Sequence, residues 1–148
     1  MRRFQTFLRL PWPDQLLLIQ SMIVLIMVVL GLRVFPWSTL QRLLLKPDIR
    51  RAKYTSESRP SAMQIARTIR TASRFIPKAS CLPQALAAQM MLTRRAYPAE
   101  LQIGVARNEV GQLAAHAWVT STNGIVIGNI PERDRFVRLS PIERKGIH

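Results

Sequence analysis

The chain has 148 residues, of which 48% are hydrophobic, and its 22 Lys and Arg against 8 Asp and Glu leave a net charge of +14. That length holds one domain with a modest core and an appended segment. A single cysteine excludes an internal disulfide and fits a reducing compartment, and two histidines, one of them the final residue, leave no ligand set for zinc or an iron–sulfur cluster. The charge suits an anionic partner or a solvated basic surface, but aromatics make up only 7% and no nucleic-acid motif is present, so no nucleic-acid role is expected.

Gln15–Leu32 carries no charge and is mostly Leu, Ile, Val and Met. As a helix it spans about 27 Å, near the thickness of a bilayer's hydrocarbon core. Basic residues flank it on both sides, with the excess after it (Arg33, Arg42, Lys46, Arg50, Arg51), which would leave the C-terminal part in the cytoplasm. Arg33-Val34-Phe35-Pro36 follows instead of small residues, which argues against a signal peptide. Gln20, Ser21 and Gly31 interrupt the apolar face, so a buried or peripherally attached helix is preferred to a membrane span, and membrane association through Gln15–Leu32 stays open. Trp37–Leu45 reads as a second short amphipathic helix folding back. Lys46–Pro60, rich in charge, serine and proline, reads as a linker. The expected division is an N-terminal helical segment over 1–53 and a domain over 54–148.

Ser61–Ile76 has helical period through Ala62, Ile65, Ile69, Ala72 and Ile76, and Pro77 stops it. The run from Cys81 to Leu92 follows, with Pro83 in its first turn, a stripe of Leu82, Leu86 and Met90, and Arg94 and Arg95 at its C-terminal end. Beyond Pro98 the period becomes two. Leu101, Ile103 and Val105 mark one strand, Leu113–Thr120 a second and Ile125–Asn129 a third. Asn108–Gln112 and Asn123-Gly124 read as turns. Helices followed by an antiparallel meander make the class α+β.

The chain's one thiol, Cys81, opens a helix, where free N–H groups and the macrodipole favour negative charge; Lys78 lies three residues upstream. A buried structural cysteine is the plain alternative. His116 lies on the second strand. If Asn123-Gly124 is a two-residue turn, Thr122 faces Ile125, His116 opposes Pro131, and Asn129 is its diagonal neighbour on the same face. Cys81, His116 and Asn129 would then form a thiol hydrolase or acyl-transfer site: nucleophile, base and orienting group. Backbone N–H groups at the Cys81 helix start would receive the oxyanion, with Gln84 or Ser80 as side-chain candidates.

Three blocks carry a resemblance: Cys81-Leu82-Pro83-Gln84-Ala85-Leu86-Ala87, Arg94 through Val105, and Ala115-His116-Ala117-Trp118-Val119. Over roughly Ser61–Pro141 the chain resembles the lasso-peptide B proteins, transglutaminase-like cysteine peptidases that remove the leader from a ribosomal precursor peptide. Weaker similarity extends to Leu10-Pro11-Trp12 and the Leu-rich segment after it. The resemblance implies a papain/transglutaminase-like core, a nucleophile helix packed on an antiparallel sheet and preceded by an apolar helical segment. It implies Cys81 as nucleophile, His116 as base, and no cofactor or metal. The third member is usually an aspartate; here Asn129 stands in its place, and Asp134 is the nearest aspartate downstream. The resemblance further implies the split form of the system, cytoplasmic, in which a separate leader-recognition protein holds the precursor and an asparagine-synthetase-like cyclase closes the ring. Two rival readings are another papain-like acyl transfer, by a transglutaminase or deamidase, and a non-catalytic basic adaptor attached to a membrane.

Overall fold

The longest apolar run forms the longest helix. The structure, a computed structural model, describes residue 9 and residues 11–44 and 60–139; the linker expected over Lys46–Pro60 and the boundary expected near residue 53 lie outside them, Pro60 excepted. Helix α1, Trp12–Val34, is long and apolar enough to cross a membrane by length and composition. It has two faces. Leu17, Leu18, Val24, Leu25 and Val28 are buried, whereas Leu16, Ile19, Ile23, Ile26 and Leu30 form an exposed apolar stripe.

The residues that interrupt its apolar sequence are those that tie α1 to the rest of the chain. Ser21 is fully buried, its hydroxyl 2.9 Å from both the Leu17 carbonyl and Thr68 Oγ1. Gln20 Oε1 accepts a 2.6 Å hydrogen bond from Arg95 Nη2. Gly31 lies against Leu40 of the short helix α2, Trp37–Leu44; a Cβ there would stand 2.8 Å from Leu40 Cδ1. The fold-back expected after Gly31 is therefore present.

Helix α3, Ala62–Ser73, begins with a reciprocal cap: Ser61 Oγ accepts from the Gln64 N–H at 3.2 Å, and Gln64 Oε1 accepts from the Ser61 N–H at 2.8 Å. It stops at Ser73, short of the expected Ile76. Arg74 and Phe75 already hydrogen-bond back three residues, and Ile76, preceding Pro77, is kept out of the helical region. Ile65, Ala66, Ile69 and Ala72 are buried.

Helix α4, Cys81–Arg94, carries Pro83 in its first turn, where its missing N–H costs nothing. Its burial is wider than the expected stripe of Leu82, Leu86 and Met90. Ala85, Leu86, Ala87, Ala88, Met90, Met91 and Leu92 are all buried, because α1, α3 and the sheet each pack on it. The alanines let those neighbours approach closely. At its C-terminus the Tyr97 N–H bonds the Leu92 carbonyl at 3.0 Å and the Ala96 N–H bonds the Thr93 carbonyl at 3.1 Å. This is a Schellman closure, and it sets Ala96 at φ +58°.

Strands β1 (Glu100–Arg107), β2 (Leu113–Ser121), β3 (Gly124–Ile127) and β4 (Val137–Arg138) form one antiparallel sheet in the order β3-β2-β1-β4. The three predicted strands are present, and β4 is an addition that returns to the far edge of β1. Asn108 closes the β1–β2 turn, its Oδ1 accepting from the N–H groups of Val110 and Gln112 at 3.1 and 2.8 Å. Leu101, Ile103, Ala117 and Val119 belong to the core cluster shared with the helices, which runs without interruption from α1 to β3.

The predicted hairpin register is corrected. Thr122 and Asn123 form the centre of the turn, Ser121 pairs with Gly124, and Gly124 takes the positive φ, +108°. A turn with Gly at its fourth position needs no left-handed Asn. A bulge between Val119 and Thr120 then shifts the ladder by one, so Val119 pairs with Ile127, where β3 ends. The pairing of His116 with Pro131 is not made, and the face argument built on it fails, because a one-residue slip reverses parity.

Ala96 occupies a left-handed position that disfavours a Cβ, and glycine relieves that strain. Ala96→Gly is expected to raise stability by about 1 kcal/mol. Denaturant unfolding that shows no gain would contradict this account of the α4 terminus.

Candidate active site

The segment before α4 delivers Cys81 to the surface of the core. Pro77 ends the preceding turn, and Lys78 takes φ +66°, a left-handed conformation that reverses the chain. The Ala79 N–H bonds the Ile76 carbonyl at 3.3 Å, and the Gln84 N–H bonds the Ser80 carbonyl at 3.2 Å, starting the helix. Cys81 is the first helical residue and is half-buried, unlike a sealed structural cysteine. Among the described residues, no hydrogen bond takes the N–H of Cys81 or Leu82, and Ser80 makes no side-chain cap. Two backbone donors therefore stay free at the thiol's end of the helix.

Cys81 and Gln84 on α4, His116 on β2, Ile127 at the end of β3, Gly128 and Asn129 just after it, and Arg70 on α3 line one cavity of about 380 Å³. Since β3 ends at Ile127, the sheet edge beside His116 is open, and its imidazole and Cys81 line the same space. All three residues singled out in the sequence are thus brought together, by a route other than the expected register.

His116 is half-buried and held on three sides. Its ring stacks on Trp118, centroids 6.1 Å apart at 21°, and meets Phe136 at 5.8 Å and 51°. Phe136 precedes β4, so that short strand brings it over the imidazole. Gly104, opposite His116 on β1, has no side chain to block this approach; a Cβ there would stand 2.9 Å from both Phe136 Cβ and the Trp118 ring.

The third contact is polar. His116 Nε2 lies 2.6 Å from the carbonyl oxygen of Gly128. A carbonyl only accepts, so the proton sits on Nε2 and the neutral ring keeps its lone pair on Nδ1. The group that holds the imidazole is therefore a backbone carbonyl, while the neighbouring Asn129 side chain is exposed at the cavity rim. Gly128 can be no other residue. Its φ is +82°, and a Cβ would stand 2.5 Å from Ala117 O and 2.8 Å from the Cα of Trp118.

Asp134, the alternative acid, does not line this cavity. It sits in the 3₁₀ turn Arg133–Arg135 with its side chain 95% exposed, 3.8 Å from Arg133 Nη2. Gln84 Nε2 donates to the Ala79 carbonyl at 2.8 Å, which commits one of its two amide hydrogens to bracing the segment before Cys81. Among the described residues, no group of three or more His, Cys, Asp and Glu could hold a metal ion.

The arrangement has the parts of nucleophilic acyl substitution: a thiol, an imidazole with a defined tautomer, and unpaired N–H donors at a helix start. The sequence reading missed Gly128, Phe136 and Arg70. A glycine ending the β-branched run Ile125-Val126-Ile127 was a signal of close backbone approach. Phe136 and Arg70 had no local signal, because each acts through elements distant in the chain.

Gly128→Ala is expected to destabilise the protein by more than about 2 kcal/mol, from left-handed strain plus the contact with β2. Asn129→Ala should change stability by less than about 0.5 kcal/mol, since its side chain is exposed. Equal effects in chemical denaturation would refute the role given to Gly128.

No curated protein and no solved structure compared with the chain matches it. The family model described as the transglutaminase-like superfamily matches residues 22–141, from within α1 to beyond β4. That match covers most of the chain, including the latter part of α1, the other helices, the sheet and the whole of the cavity described above. By that match, the chain belongs to the transglutaminase-like superfamily.

Proposed function

We propose that the protein is a cysteine peptidase that removes the leader from a ribosomally synthesised lasso-peptide precursor. The observation that carries the chemistry is the shared cavity of Cys81, His116 and Asn129 at the N-terminal end of α4. The blocks around Cys81, Arg94–Val105 and His116, which resemble the lasso-peptide B proteins, support the substrate class.

In this reading His116 Nδ1 takes the thiol proton, and Cys81 Sγ attacks the scissile carbonyl of the leader. The resulting oxyanion is received by the free N–H groups of Cys81 and Leu82. Collapse breaks the C–N bond, and the imidazolium gives its proton to the departing amine of the core peptide. Water, deprotonated by His116, then attacks the thioester, releasing the leader acid and restoring the thiol. Gly128 O holds the ring throughout, and Asn129 stands where the family places an acid. Its amide supplies no charge to the imidazolium, and the carbonyl of Gly128 offers partial negative charge in its stead.

The same reading gives the protein a cytoplasmic location and three partners: the precursor peptide, a separate leader-recognition protein and an asparagine-synthetase-like cyclase. The exposed stripe of α1 and the basic surface are the contact surfaces proposed for them. Membrane association through Gln15–Leu32 would use the same stripe, since the opposite face is buried in the core.

The test incubates the protein with a candidate precursor and recognition protein encoded beside it, with products read by mass spectrometry. Cleavage at one site is expected, and Cys81→Ala and His116→Ala should each lower it by about 10³-fold or more while circular dichroism stays unchanged. Asn129→Ala should be milder. Cleavage by Cys81→Ala would end the proposal. Amine incorporation in place of hydrolysis would favour acyl transfer instead, and an inert Cys81 in a membrane-bound protein would favour the adaptor.

A further inference from the structure

A cation faces the same cavity as the thiol, and the reaction proposed above gives it no part. Arg70 lines the cavity from α3, beside Cys81, Gln84, His116 and Asn129. Its guanidinium makes one long hydrogen bond, Nη2 to the Val126 carbonyl at 3.4 Å, and no ion pair with any described residue. That single bond anchors the side chain against β3 and leaves most of its five N–H donors unused. No acidic residue lines the cavity. Its remaining polar groups are a thiol, an imidazole and two neutral amides, and the start of α4 adds the positive end of a helix dipole.

We propose that Arg70 forms an anion subsite in the Cys81 cleft, which binds a carboxylate of the substrate next to the bond being cut. A planar guanidinium suits this ligand because it can donate two parallel hydrogen bonds to both carboxylate oxygens. The carboxylate comes from an acidic side chain or from a peptide C-terminus. The substrate role rests on the peptidase reading, but the subsite itself does not.

The chain has one cysteine, so alkylation reports on Cys81 without background. The probes are iodoacetate and iodoacetamide, near-isosteres that differ in charge. Each forms an S–CH₂ bond at Sγ and releases iodide. The ratio of their second-order rate constants reads the subsite and cancels the intrinsic reactivity of the thiol. Arg70→Gln is expected to lower the iodoacetate-to-iodoacetamide ratio by about fivefold, the scale of one partly exposed charge pair, with Arg70→Lys in between. Arg74→Gln, which removes the same charge just past the end of α3 and outside the cavity, should change the ratio by less than about twofold. Arg70 is exposed and lightly bonded, so the variant keeps its fold.

An unchanged ratio in Arg70→Gln overturns the subsite, as does an equal fall in Arg74→Gln, which would trace the effect to overall charge. Absence of precursor cleavage by the unsubstituted protein, with the ratio effect intact, would overturn the peptidase reading and leave the subsite standing. The source of the carboxylate is separated by protection of Cys81 from iodoacetamide. Acetyl-glutamate amide protecting better than acetyl-glutamine identifies a side-chain carboxylate, and the reverse identifies a chain terminus. Protection by neither at tens of millimolar overturns the proposal.

Discussion

The burial of α4 is the constraint on which the rest depends. Leu86, Met90, Met91 and Leu92 are removed from water, each contributing about 1.5–3 kcal/mol of hydrophobic stabilisation. Two helices and the sheet pack on it: α1, α3 and strands β1 to β3. A helix held all round cannot rotate or slide without opening the core, because packed interiors resist even small displacements. Its N-terminal residue therefore has a fixed position and direction. Cys81 inherits both, and the cavity forms where the neighbouring elements end.

Around that fixed point the chain relies on strained or close-packed backbone at a few residues. Lys78 reverses the chain before α4 with a positive φ, and Gly128 passes so near β2 that no side chain fits. Lys78 lies three residues before Cys81, and Gly128 itself lines the cavity. Gly128 serves two purposes at once, since the close approach that excludes a Cβ also brings its carbonyl to His116 Nε2. A backbone acceptor cannot change rotamer, so the imidazole tautomer is set by the main chain and not by a flexible side chain.

Helix α1 shows how one segment can be apolar for two reasons. Its inner face completes the core over α3 and α4, and Ser21, Gln20 and Gly31 supply the polar and close contacts that fix its rotation. Its outer face repeats Leu16, Ile19, Ile23, Ile26 and Leu30 at steps of three and four, a seam left exposed by the described residues. Hydropathy alone cannot separate these roles, because both faces raise the same average.

Much of the fold was legible in the chain because it rests on local physics. The Ser61 cap, the period of Ile65, Ile69 and Ala72, Pro83 at a helix start and the alternation around Ile103 and Val119 each follow from short-range sterics and burial. The α+β class, and Cys81 and His116 as the residues to watch, follow from these elements. The tertiary structure alone decided the register after the Thr122–Asn123 turn, where a bulge worth one residue reverses which side chains share a face. It also decided that a Gly128 carbonyl, a Phe136 ring and the Arg70 guanidinium surround the thiol and imidazole. These come from the residue after β3, the return to β4 and α3, and only strand pairing and helix packing bring them together, since no pattern in a single segment encodes a distance between segments.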